Sequence, residues 1–190
     1  MTGFEVITIT FSFVLGLGVA QILSSTAIVI RDRAERPLHW MPLSVAAVSL
    51  LFHIQFWFAL VQVDQVLDQW TWPPYAACLG LAVLLFLSGG IVLPSSSGAN
   101  AGTLLEDFRL RGSASLLLLA AYVLAWIPCL YWFIGRDATL TAAFNLLFGV
   151  VAILAYVLKN DTIRTIAVLS VLALCLFGIL LFWQTPIILE

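Results

Sequence analysis

Residues 51–60 read LFHIQFWFAL. Seven of these side chains are strongly apolar and one is alanine, yet His53 and Gln55 stand among them. What such a segment is immersed in decides the fold. The apolar character continues outward on both sides, from about position 40 to 65, with no charged residue before Asp64. The same holds along the whole chain: its 190 residues are 63% hydrophobic and only 9% charged, where a soluble domain carries about 25% charge. So few charges cannot cover a water-facing surface. The surroundings of His53 and Gln55 are therefore hydrocarbon and neighbouring helices, and the expected fold is an all-α bundle of transmembrane helices.

Six spans are expected, at about 4–30, 40–65, 75–93, 105–134, 138–158 and 162–183. Each approaches or exceeds the ~20 residues that cross ~30 Å of hydrocarbon. The first, second and fourth are long enough to tilt or to reach the headgroups. Together they make one membrane domain over 1–190, and a separate soluble domain is not expected. The start, MTGFEVITIT, has no basic region before its apolar run, so a cleaved leader is not expected either. With alternating helices, Arg31, Arg33, Arg36, Arg109, Arg111, Lys159 and Arg164 share one side, and the other keeps only Arg136. The positive-inside rule then puts both termini outside the cytoplasm. Trp40, Trp70, Trp72, Tyr75, Trp132 and Trp183 fall near span ends, where amphipathic rings settle. Thr103 with Glu106 reads as a capping box, Asp161 as an N-cap, and Pro128 as a kink in the fourth span. An inverted repeat of three-helix halves is a common transporter plan. Spans one to three show no clear similarity to four to six, and an unrepeated bundle is expected.

A polar side chain in hydrocarbon turns toward protein or water. His53 and Gln55, two positions apart, project about 200° from each other on a helix and cannot serve one small site directly. Ser49, His53 and Trp57 follow one stripe toward Asp64. Gln55, Gln62 and Gln69 follow another. Helix two is thus expected to be buried on both sides. On helix one, Thr8, Ser12, Gly16, Ala20 and Ser24 form a small-residue ladder at i+4, a pattern that lets helices approach closely; Gln21 lies elsewhere, near Gly18 and Ser25. Helix five puts Thr141, Asn145, Gly149, Ala152 and Tyr156 on one face. Gly16, Ala20 and Gly149 are the expected helix-packing positions. His53, Gln55, Asn145, Ser12 and Gln21 are the candidates for a polar pathway or for interhelical hydrogen bonds. Glu5, Asp64 and Asp68, with Asp137 and Glu190, oppose one Arg136 and leave the outer side at −4, an acidic mouth that would concentrate cations.

Several functions lose their chemistry here. The one lysine, Lys159, ends a span, so no retinal Schiff base forms inside a helix. The two histidines, His39 and His53, are about 21 Å apart along a helix, too far for a bis-histidine haem within this bundle. Cys78, Cys129 and Cys175 lie far apart in apolar runs, without CxxC or metal-ligand spacing, and read as buried packing thiols. There is no P-loop, HExxH or GxSxG motif. A basic patch for nucleic acid is missing at a net charge of −2. No catalytic residue, metal or cofactor is expected, and the expected partners are the lipid bilayer and either further copies of the chain or other membrane subunits.

The run QFWFAL in helix two, with FSFVLGLGVAQIL in helix one and WTWPPY after helix two, resembles a group of small bacterial membrane proteins. In that group a Q-F-W-W/F run follows a long first helix with an F-S-x-x-L-G-L pattern. The resemblance covers roughly the first half of the chain. It implies a bacterial inner-membrane setting and brings no site or activity with it.

Two functional expectations follow. In one, the chain is a small, oligomeric channel or transporter for an ion or small polar solute, with His53, Gln55 and Asn145 along the path and Glu5 with Asp64 at its mouth. In the other, it is a non-catalytic accessory or scaffold subunit of a larger membrane complex, and the same residues specify packing.

Overall fold

The computed structural model describes residues 3–67, 69–96, 102–133, 139–158 and 160–182, with side chains from Ile7 to Leu180. The elements are α1 (Gly3–Arg31), a 3-10 turn (Asp32–Ala34), α2 (Trp40–Val66), α3 (Trp72–Ile91), α4 (Leu104–Asp107), a π turn (Phe108–Gly112), α5 (Ala114–Phe133), α6 (Thr139–Val157) and α7 (Asp161–Phe182). All but α4 and the two turns are long and apolar enough to cross a membrane, giving six candidate spans. The chain is an integral membrane protein on this evidence.

Boundaries follow local chemistry, and two expected starts move. Helix α3 begins at Trp72, with Pro73 and Pro74 inside its first turn. The first-turn N–H groups have no intrahelical acceptor, so proline costs little there. The expected fourth span does not run unbroken from 105. The capping box at Thr103 and Glu106 forms, but it opens the single-turn α4. A π turn follows, closed by the amide of Ser113 donating to the carbonyl of Phe108 at 2.6 Å, and the spanning helix starts at Ala114. Gly112 explains the detour: a Cβ there would stand 2.6 Å from the carbonyl oxygen of Val92, so this turn crosses the end of α3 at a distance only glycine permits.

Helices α1, α3, α5, α6 and α7 form an arc, each packed on the next in that order, and α2 lies inside it against α1, α3, α5 and α7. Buried positions accordingly occur around most of α2, among them Val45, Ser49, Phe52, His53, Phe56 and Leu60. A narrow exposed stripe of Ala47, Ile54, Phe58, Gln62 and Gln65 remains, so the helix is not covered on both sides along its full length. Gln69 lies beyond its end at Val66, and the stripe Gln55, Gln62, Gln69 is not carried by one helix.

Rings fill the centre. Phe52 meets Phe148 edge-on at 5.1 Å and Tyr122 at 5.5 Å; Phe56 meets Trp126 at 5.8 Å and Phe11 at 6.2 Å. Five helices contribute to this cluster if Tyr75, 5.7 Å from Phe11, is included. Lipid tails are as apolar as these rings, so the bundle is held by close van der Waals packing more than by removal of surface from water. Edge-on ring pairs add about 0.5–1.5 kcal/mol each beyond area burial.

Candidate functional site

His53 stands 13 residues into α2, about 20 Å from its start and near mid-span. Its side chain is buried, at 2% exposure. Two glycines make room for it. A Cβ on Gly18 of α1 would overlap the imidazole Nε2, and a Cβ on Gly89 of α3 would lie 3.4 Å from its Cε1 and 2.8 Å from Ile22. Three helices therefore close around one ring. Nδ1 lies 2.7 Å from the carbonyl oxygen of Ser49. A carbonyl only accepts, so Nδ1 carries the hydrogen of this bond, and Nε2 is the ring atom turned toward Gly18. That nitrogen is buried and meets no donor among the described residues. Ser49 offers its carbonyl and not its hydroxyl to His53, so the two do not form a nucleophile–base pair.

The remaining candidates do not converge on His53. Gln55 and Asn145 are half-buried, on α2 and α6, and neither side chain has a hydrogen-bond partner among the described residues. Gln21 is half-buried as well. Ser12 is exposed and returns its hydroxyl to the carbonyl of Thr8 at 2.6 Å. Gly16 and Ala20 are exposed too; nothing stands within 4 Å of a Cβ built on Gly16. The ladder thus faces away from the bundle, and α1 packs inward through Phe11, Leu15, Gly18, Ile22, Ser25 and Val29. Gly149 is buried where α6 meets α5, and a Cβ there would come within 2.7 Å of Leu124.

At the end of the bundle where α2 stops, Asp64 accepts a 2.7 Å hydrogen bond from the indole of Trp70. The Glu5 side chain, Asp68, Arg136, Asp137 and Glu190 lie outside the described residues. The opposite end is tied together by arginines. Arg36 donates to the carbonyl of Gly102, and Arg109 of the π turn pairs with Asp161 at 2.7 Å. Asn160, not Asp161, caps α7: its side-chain oxygen accepts from the amides of Thr162 and Ile163. Asp161 is the first residue of the helix and is thereby free to meet Arg109. Arg164, at 9% exposure, donates to the carbonyl of Tyr156 in the last turn of α6. His39 is the N-cap of α2; its Nδ1 accepts from the amide of Met41 at 3.2 Å. Partial burial, and then the positive charge of Arg109, hold its imidazole below the ordinary 6.5.

Sequence reasoning missed the arginine contacts, which join residues 8 to 66 positions apart. The adjacent cap-formers Asn160 and Asp161 were a visible signal for two separate roles. Among the described residues no three His, Cys, Asp or Glu side chains gather as metal ligands. No family model, curated protein or solved structure matches the chain.

Proposed function

We propose that this protein is a non-catalytic membrane subunit that works by packing against other membrane helices, and that it does not pass solute through its own bundle. The observation that carries this reading is the aromatic cluster of Phe11, Phe52, Phe56, Tyr122, Trp126 and Phe148, which fills the bundle centre where a path would run. The outward small-residue face of α1 supports it, because such a face admits a neighbouring helix at close range. Half-buried amides without partners among the described residues, Gln55 and Asn145, support it too: each would gain roughly 1 kcal/mol from a donor or acceptor on an adjoining helix. We place both termini outside the cytoplasm, on the strength of the arginine asymmetry between the two ends.

Those same two amides favour a second reading, a channel or transporter whose path lies between copies of the chain. One experiment separates the readings. The protein is extracted gently from its native membrane, the intact particle is weighed, and the same preparation is reconstituted for solute flux. A particle containing other polypeptides, with flux no greater than in empty vesicles, supports the subunit reading. A particle of identical chains with flux abolished by Gln55→Leu overturns it.

A further inference from the structure

Helix α2 is enclosed on every side but one. The arc around it ends at α1 and α7, which both pack on α2 and not closely on each other. On the open side Ile54 and Phe58 are 49% and 47% exposed, as much as Leu146 on α6 and Leu169 on α7, at 53% and 48%. This strip of α2 therefore reaches the outer surface of the bundle and is not sunk behind its neighbours.

Its chemistry differs from that of the other outward faces. The exposed positions of α6 from Ala143 to Leu154, and of α7 from Ile166 to Leu180, are all apolar and suit lipid tails. On α2 the strip carries exposed Gln62 and, along its border, half-buried Gln55. Neither amide has a hydrogen-bond partner among the described residues. Gln55 stands 15 residues into α2, about 22 Å from its start and near mid-span, where water is not at hand to serve it. An amide at that depth calls for protein opposite it.

The spacing indicates which protein. Leu51, Gln55, Phe58 and Gln62 lie four, three and four residues apart, the alternation of a left-handed helix pair. No charged residue interrupts them to repel a like surface. Copies of one chain insert in one direction, so a two-fold pair sets the two α2 helices parallel and brings each of these residues to its own counterpart. Glutamine suits that position because its amide both donates and accepts, so one Gln55 can satisfy another.

We propose that two copies of the chain pair through the open strip of α2, with Gln55 hydrogen-bonded to its counterpart near mid-membrane. The pairing rests on the packing role proposed above and names the face and the partner.

The test uses the full chain in its native membrane. Phe58→Cys, the control Leu146→Cys on α6, and wild type are each oxidised with copper phenanthroline. Phe58→Cys should give at least about fivefold more disulfide-linked dimer than the other two. In reconstituted vesicles, energy transfer between labelled copies on lipid dilution should show the dimer dissociation constant rising about tenfold in Gln55→Leu, less in Gln62→Leu, and staying closer to wild type in Gln55→Asn, which keeps an amide. If Gln55→Leu does not fold, exposed Gln62→Leu decides. No excess dimer at Phe58→Cys, a disulfide to a different polypeptide, or a dissociation constant unchanged in both leucine variants overturns the pairing. A single copy that still purifies with other polypeptides overturns the pairing and leaves the packing role standing. A dimer that carries solute, with flux lost in Gln55→Leu, supports the seam and overturns the packing role.

Discussion

The imidazole of His53 occupies the space that a Cβ on Gly18 would need. The two residues lie on different helices, and the ring is fixed from behind by its bond to the Ser49 carbonyl, so it has little room to yield. Gly18→Ala should therefore lower stability by about 1–3 kcal/mol through overpacking. Gly16→Ala, two positions away with open space before it, should stay within about 0.5 kcal/mol of wild type. Thermal unfolding in detergent reads both. In the double variant Gly18→Ala with His53→Ala, the second change should cost less than it does alone. Strictly additive losses would mean that the two side chains do not share this space.

The start of α7 separates a cap from an ion pair. Asn160→Ala removes the acceptor for two first-turn amides and should cost about 1 kcal/mol. Asp161→Ala breaks the pair with Arg109, but that carboxylate is largely exposed, and its loss should cost no more than about 1 kcal/mol and shrink further in salt. Unfolding midpoints at low and high ionic strength distinguish the two; a larger loss at Asp161 would reverse the assignment.

His39 should make stability depend on pH. Its folded-state pKa is lowered, so the unfolded chain takes up the proton first, near 6.5, and the folded state resists it. Stability is then fully present above about 6.5 and declines as the pH falls from there through the lowered value. A proton on Nδ1 would also abolish the acceptor for Met41 and set a positive charge at the start of α2. Unfolding midpoints between pH 8 and pH 5 should fall for wild type. They should fall less for His39→Asn, which keeps an N-cap acceptor and cannot titrate; identical slopes would exclude His39 as the source.

The proposed orientation has a direct readout in intact cells. Ser96→Cys at the basic end is exposed and should resist a membrane-impermeant thiol reagent, while Gln69→Cys at the opposite end should react. The native Cys78, Cys129 and Cys175 are buried within the bundle, out of reach of the reagent, so they give little background. The reverse labelling pattern would invert the topology.

The spans were legible in the sequence because hydrocarbon thickness sets a length that six uncharged runs satisfy. The capping box at Thr103 and Glu106 was legible because its residues are three apart. Helix faces were not. In soluble proteins, polarity marks the outer face of a helix; on α1 the inward Phe11, Leu15, Ile22 and Val29 and the outward Phe13, Leu17 and Leu23 are equally apolar. The small-residue ladder therefore could not say whether its neighbour belongs to the same chain. The π turn was hidden for a related reason: it depends on Gly112 meeting the backbone of Val92, twenty positions earlier. His53 was recognisable as a polar residue in need of protein around it, but Gly18 and Gly89 acquire that role only once three helices converge.

The position of α2 within the arc has a consequence for biogenesis. It leaves the ribosome four spans before α7, yet α7 is one of its walls. Until α7 enters the bilayer, that flank of α2 faces lipid or whatever insertase and chaperone attends the nascent chain. That wall is thus closed only when α7 arrives, and a chain stalled or truncated before α7 would display an unclosed α2 to the membrane proteases that police incomplete assemblies.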